Sequence, residues 1–147
     1  MESFYGSYPR QLDDRGRFVL PSKIREKMSE TVHIARSLVD KCLLLYSEEE
    51  WDTIKEQIQS LPAMTDANAS DLAFVLLGLS SESEVDKQGR VGIPQTMLDA
   101  FGIGKDIVLV GVGLKIEIWD AGAYQRKLES INLTKTLEGI AKFGLNM

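Results

Sequence analysis

The chain has 147 residues, 44% hydrophobic and 27% charged, a balance that fits one globular domain or two half-size units sharing a core and excludes a disordered chain. No apolar run approaches the roughly 18 to 20 residues needed to cross a bilayer, and the opening "MESFYGSYPR" lacks the charged-then-apolar order of a secretory signal. The formal charge is −5 and Cys42 is the single cysteine, which excludes an internal disulfide and makes a reducing cytoplasm the expected compartment.

From the N-terminus, a first strand closes at Leu12 and runs into "DDRG", which has the Asp and Gly of a hairpin turn with Gly16 free to take positive φ. "RFVLP" then reads as a second strand through Phe18 and Leu20. Pro21 stops that strand and suits the first turn of a helix, "PSKIREKM", with Ile24 and Met28 one turn apart. Strands near Val32–Ala35 and Cys42–Tyr46 follow. The next helix opens with a capping box, Ser47 with Glu50, and carries Trp51, Ile54, Ile58 and Leu61 on one face. Asp66–Leu79 reads as a linker helix with the apolar stretch "LAFVLLG".

The chain then begins again. "DKQGRVGIP" at Asp86–Pro94 echoes "DDRGRFVLP" at Asp13–Pro21, and sliding the sequence by 73 residues aligns the two. Leu12 falls on Val85, Phe18 on Val91, Leu20 on Ile93, Ile24 on Met97 and Met28 on Phe101. Without a gap, Ile34 then falls on Ile107, Leu43 on Ile116, Leu45 on Ile118, Tyr46 on Trp119 and Trp51 on Tyr124. Pro94 opens the second short helix, and Gly102 stands where a helix C-cap glycine belongs. Strands near Ile107–Val112 and Lys115–Trp119 follow, and a helix from Asp120 carries Tyr124, Leu128 and Ile131. The tail adds a short amphipathic helix through Leu137, Ile140 and Phe143.

The expected division is residues 1–62 for the first unit, 63–80 for the linker helix, 81–133 for the second unit and 134–147 for the tail. Neither half has enough chain to bury a good core alone. An α+β fold in which two pseudo-twofold units interleave strands into one small barrel, with flanking helices, solves that problem.

Net acidity argues at first against nucleic acid, whose binders are basic on the contacting face. The distribution softens that objection. Residues 1–27 hold six Lys/Arg against four Asp/Glu, residues 28–84 hold three against eleven, and residues 85–147 hold eight against seven. The acidity lies between the two turns, not in them.

The doubled turn, together with "DKCLLLYSEEEW" and "VGVGLKIEIWD", closely resembles MraZ, a family of bacterial transcriptional regulators, from about Phe4 to about Lys127. The resemblance implies tandem AbrB-like swapped-hairpin β-α-β units, assembly into a homo-oligomeric ring, and binding of double-stranded DNA at direct repeats in the promoter of the division and cell-wall cluster, the protein's own operon. It carries the family's Asp-x-x-x-Arg loops onto Asp13 and Arg17, and onto Asp86 and Arg90. Leu98 and Asp99 stand where an Arg-Glu pair is common in the family, and the linker helix 66–79 has no Lys or Arg where relatives often have several.

Arginine suits that task, because its planar fork of donors fits a phosphate or the O6 and N7 acceptors of guanine. The candidate DNA contacts are Arg15, Arg17, Lys23, Arg25, Lys87 and Arg90. Gly16 and Gly89 shape the turns, while Asp13 and Asp86, whose carboxylates repel phosphate, are expected to accept turn amides or aim the arginines. The Trp51/Ile54 and Tyr124/Leu128 stripes read as core or subunit interface, and "SEEE" at 47–50 as a helix start favoured by the macrodipole.

Enzyme chemistry finds little support. His33 is the only histidine, reads as a surface or edge residue, and falls opposite Asp106 in the second copy. Cys42 falls on Lys115, no Cys/His cluster suggests zinc, and "GVG" at 111–113 lacks the third glycine of a dinucleotide fingerprint. No cofactor, small-molecule ligand or membrane partner is expected. The competing reading is a non-enzymatic interaction module or ring scaffold that works through the acidic middle segment.

Overall fold

The computed structural model describes residues 3–145. Strands β1 (Phe4–Gln11) and β2 (Arg17–Val19), helix α1 (Ser22–Arg25), strands β3 (Thr31–Arg36) and β4 (Leu43–Ser47), and helix α2 (Glu48–Gln59) form the first copy. Helix α3 (Ala67–Ala73) and a π-helical turn at Phe74–Gly78 lead to the second. That copy comprises β5 (Ser81–Glu84), β6 (Arg90–Gly92), α4 (Gln95–Ala100), β7 (Asp106–Gly113), β8 (Ile116–Asp120) and α5 (Ala121–Ser130). Helix α6 (Leu133–Ile140) and a 3-10 turn at Ala141–Phe143 follow.

The copies are interleaved. The main sheet runs β1-β7-β8-β4-β3-β5, so the first strand of each copy pairs with a strand of the other. The second strands pair with each other, β2 with β6, as a separate ribbon. The strands therefore form an open six-stranded sheet with a two-stranded ribbon laid over it, and not the closed barrel expected from sequence. The ribbon strands are only three residues long and each is tied to an edge strand through a turn, so hydrogen bonding does not run continuously around the core. The pseudo-twofold axis passes through the Leu44–Glu117 pair of the sheet and the Phe18–Val91 pair of the ribbon.

Both faces of the sheet are covered, which is why "CLLLY" is apolar without alternation. On one side Leu43, Leu45, Ile116 and Ile118 pack with Phe18, Val91, Ile24 and Leu98 from the ribbon and short helices. Fully burying a residue such as Phe18 contributes about 1.5–3 kcal/mol. On the other side Leu44, Tyr46 and Trp119 pack with Trp51 of α2, and Tyr124 of α5 packs against that cluster.

Three local expectations change. The repeat is not gap-free: the amide of Leu12 donates to the carbonyl of Lys105 and the amide of Val85 donates to that of Glu30, so β3 and β7 correspond at an offset of 75 residues while the turns keep 73. The approach to β7 is two residues longer, and the β7–β8 connection two residues shorter, than in the first copy. Ile34 therefore matches Leu109 rather than Ile107, and His33 matches Val108 rather than Asp106. Second, His33 is buried and not a surface residue, stacked on Trp51 with ring centroids 5.3 Å apart and its Nε2 3.0 Å from Glu48 Oε2. Third, the capping box is half made. Ser47 Oγ accepts from the Glu50 amide at 3.2 Å, but the Glu50 carboxylate is buried with Oε2 unpartnered.

Candidate nucleic-acid interface

Each turn is organised by one carboxylate. Asp13 Oδ1 accepts from the amides of Arg15 and Arg17, both at 2.9 Å, and its Oδ2 accepts from Arg17 Nε at 2.8 Å. Asp86 repeats the pattern with the Gln88 amide at 2.9 Å, the Arg90 amide at 2.8 Å and Arg90 Nε at 2.7 Å. A backbone bond from Asp13 to the Arg17 carbonyl, and from Asp86 to that of Arg90, closes each hairpin. Asparagine would fail at this position, since one end of an amide cannot accept. The Arg17 amide is the largest influence holding Asp13 below its ordinary pKa of 3.8, and burial opposes it only in part. The Arg90 amide and then its side chain do the same for Asp86.

Gly16 and Gly89 bend at φ +72° and +76°, a region that L side chains avoid. Their carbonyls accept from Ile93 and Leu20 respectively, so each turn is stitched to the end of the other copy's ribbon strand. Phe18 and Val91 point into the core, which turns Arg17, Val19, Arg90 and Gly92 outward. Arg17 pairs across the ribbon with Gly92, and Arg90 with Val19, so the two arginines are diagonal neighbours on one face. Their side chains are 29% and 31% exposed, and with Nε held by aspartate each guanidinium presents its two Nη groups.

The other candidates are distributed differently. Arg15 and Lys87 are exposed at the tips of the two turns, at opposite ends of the ribbon. Arg25 reaches across from α1, donates from Nη2 to the Lys87 carbonyl at 2.9 Å and lies against Gly89, so it braces the second turn. Its counterpart Leu98 stands beside Gly16. Lys23 is not brought to the turns; it sits by the start of β1 with Tyr5 and Lys27.

Sequence reasoning missed Arg10. Its Nε donates to the Val19 carbonyl at 2.9 Å, which places a further cation at the ribbon edge. The available signal was parity: Arg10 alternates in step with Phe4 and Tyr8 of this strand and with Leu12 just beyond it, all of which pack into the core. Among the described residues no three His, Cys, Asp or Glu side chains gather as a metal site, and no helix is long and apolar enough to cross a membrane.

The interleaved halves and their twin aspartate-anchored arginine turns define a tandem swapped-hairpin protein with one duplicated surface element. Two stretches of the chain, residues 3–74 and 76–140, match the family described as "MraZ protein, putative antitoxin-like". The chain is 35% identical over 144 residues to a protein of Acetivibrio thermocellus, covering 97% of this chain and 99% of that one. It is 38% identical over 129 residues to one from Caldicellulosiruptor bescii, covering 88% and 89%, and 35% identical over 142 residues to one from Caldicellulosiruptor saccharolyticus, covering 95% and 98%. All three relatives are named "Transcriptional regulator MraZ". The chain belongs to the MraZ family.

Proposed function

We propose that the protein is a DNA-binding transcriptional regulator and not an enzyme, acting in the cytoplasm at the nucleoid. It binds tandem repeats in the promoter of its own division and cell-wall cluster through the turns displayed on a ring of copies. The names of its relatives support the regulatory role. The observation that carries the DNA reading is the clamp on Arg17 and Arg90: Asp13 and Asp86 take each Nε, on arginine side chains that stay 29% and 31% exposed. A fork held in place loses little rotamer entropy when it meets a phosphate or a guanine edge. Arg15, Lys87 and Arg10 add phosphate contacts around it, Arg25 keeps the second turn in shape, and Lys23 contributes at longer range. One chain with a formal charge of −5 binds weakly. A ring repeats the turns and raises their effective concentration over repeated boxes.

The test is fluorescence anisotropy on the protein's own upstream DNA and a scrambled control, across a salt series. The Arg17→Ala, Arg90→Ala double variant is run alongside, with assembly followed by light scattering. Selective binding that the variant loses while its assembly stays intact supports the reading. Equal binding by both proteins, or none by either, returns the turns to ordinary hairpins and favours a scaffold working through the acidic segment 48–79.

A further inference from the structure

A cavity of about 520 Å³ opens between helix α4, the end of the linker and the last residue of β3. Leu79, Met97, Ala100 and Phe101 supply its apolar walls, and Arg36 and Lys41 are the only charged side chains among the described residues that line it. The Arg36 guanidinium lies over the Phe101 ring, 5.2 Å from its centroid, and its Nε donates to the Ser37 carbonyl at 3.0 Å. Lys41 is carried by the β3–β4 loop, which Ser37 Oγ orders by accepting from the amides of Val39 and Asp40 at 3.2 and 3.1 Å. Its ammonium comes in beside Gly102, which turns the chain out of α4 at φ +62°. Among the described residues no carboxylate pairs with Arg36 or Lys41.

We infer that this cavity binds a small amphipathic carboxylate, with its head on Arg36 and Lys41 and its hydrocarbon body against Leu79, Met97, Ala100 and Phe101. Apolar walls with a few convergent polar groups are the pattern of a small-molecule site, and the volume falls in the range of roughly 300 to 1,000 Å³ such sites have. Both cations come from β3 and its loop and the apolar walls from α4 and the linker, so head and body are met by different elements. A carboxylate fits the fork of an arginine, whose Nη groups remain once Nε is given to Ser37, and the point charge of a lysine. Met97, unbranched and polarizable, adapts to a chain laid against it.

The cavity is not a by-product of duplication. Its counterpart in the first copy has Gly6 for Leu79, Ile24 for Met97 and Lys27 for Ala100, each 73 residues earlier, and encloses about 300 Å³. Tyr8, where the second copy has Ser81, lays its ring over Gly6 and donates from its hydroxyl to the Tyr5 carbonyl at 3.2 Å. At the strand offset of 75, Arg36 corresponds to Gly111, where a Cβ would stand 2.5 Å from the Tyr5 amide nitrogen, so no cation could be carried there. The second copy therefore has room and charge that the first lacks. The site uses neither Arg17 nor Arg90, and the inference stands apart from the DNA reading.

The experiment titrates the full chain with sodium octanoate, below its micelle concentration, by isothermal titration calorimetry. 1-Octanol and octyltrimethylammonium serve as neutral and cationic probes with the same chain. The native protein should prefer octanoate to both by about tenfold or more, the worth of a charge-assisted contact. Arg36→Gln with Lys41→Gln should remove that preference and leave the octanol affinity as it was. Ala100→Trp, which fills the cavity, should abolish binding of both. All three positions are exposed, and circular dichroism checks that the variants keep the native fold. As a readout on the native protein alone, octanoate should slow amide exchange at residues 95–103 and leave the first copy's counterpart at 22–28 unchanged. Equal affinity for the three probes, octanoate binding that survives the double glutamine variant, or no binding by the native protein overturns the inference. Protection that appears elsewhere while 95–103 stays as it was overturns it too.

Discussion

Asp13 and Asp86 receive the same three hydrogen bonds, and Gly16 and Gly89 bend at nearly the same positive φ, yet the surroundings of the two turns differ sharply. Of the six basic residues in 1–27 only Arg17 has a basic counterpart, Arg90, when 73 is added. Arg10, Arg15, Lys23, Arg25 and Lys27 face Ser83, Gln88, Thr96, Leu98 and Ala100. Residues 1–27 carry six cations and four anions, whereas 74–100 carry two cations (Lys87, Arg90) and four anions (Glu82, Glu84, Asp86, Asp99). The skeleton of the turn is duplicated because each copy must stitch to the other's ribbon strand. The charge around it is under no such constraint.

The largest contrast should come from the glycines. A Cβ on Gly16 would stand 2.8 Å from the Ile93 carbonyl oxygen, fixed backbone, whereas one on Gly89 would meet the flexible Arg25 guanidinium at 3.0 Å. Gly16→Ala should cost about 3 kcal/mol of unfolding free energy and Gly89→Ala about 1–2 kcal/mol, the ordinary cost of the left-handed region. Equal losses in chemical denaturation would mean that the two turns are not held differently. Next come the arginines. Arg17→Ala should weaken DNA binding by about 2 kcal/mol per turn and Arg90→Ala by about 1 kcal/mol, since fewer cations support it. Matching anisotropy curves for the two single variants would contradict an unequal division of labour.

Charge can also be put back. Gln88→Arg gives the second turn the cation of the first, and it should steepen the slope of log K against log salt by about 0.9 for each new phosphate contact. An unchanged slope would show that the second turn does not face the backbone. Arg25→Leu copies Leu98 into the first helix and removes the bond to the Lys87 carbonyl. It should cost about 1 kcal/mol and loosen the second turn only, seen as faster amide exchange at Gln88 and Gly89. The smallest difference is expected with pH. Both aspartates have folded-state pKa values below the ordinary 3.8, so the order they contribute is complete above that value and fades as pH falls through the lower folded values. The Nε–H resonances of Arg17 and Arg90 should broaden together on acidification. If one turn melted well before the other, the equivalence of their hydrogen bonding would fail.

Local features were readable in the sequence. The turns, the prolines that stop the ribbon strands, the Ser47 cap and the amphipathic α2 are each set by neighbours a few residues away. What the sequence hid is long-range. That β1 pairs with β7 of the other copy depends on a residue about a hundred positions distant. The compensating two-residue shift was invisible because moving a strand by two preserves which side chains face in, so Ile107 and Leu109 fit Ile34 equally well. His33 was misread because the stacking partner that buries it, Trp51, lies on the next helix. Arg10 was overlooked since its role appears only once β2 is known to lie beside it.

The stretch from Ala67 to Gly78 makes one polypeptide out of what could have been a pair of identical molecules. Twins that associate must read any line of text the same way forwards and backwards. Joined end to end, the halves escape that rule, and one has kept a cationic margin that the other lacks. The molecule thereby has a bow and a stern. A molecule with unlike ends can meet its surroundings in one orientation, which a pair of identical twins could not.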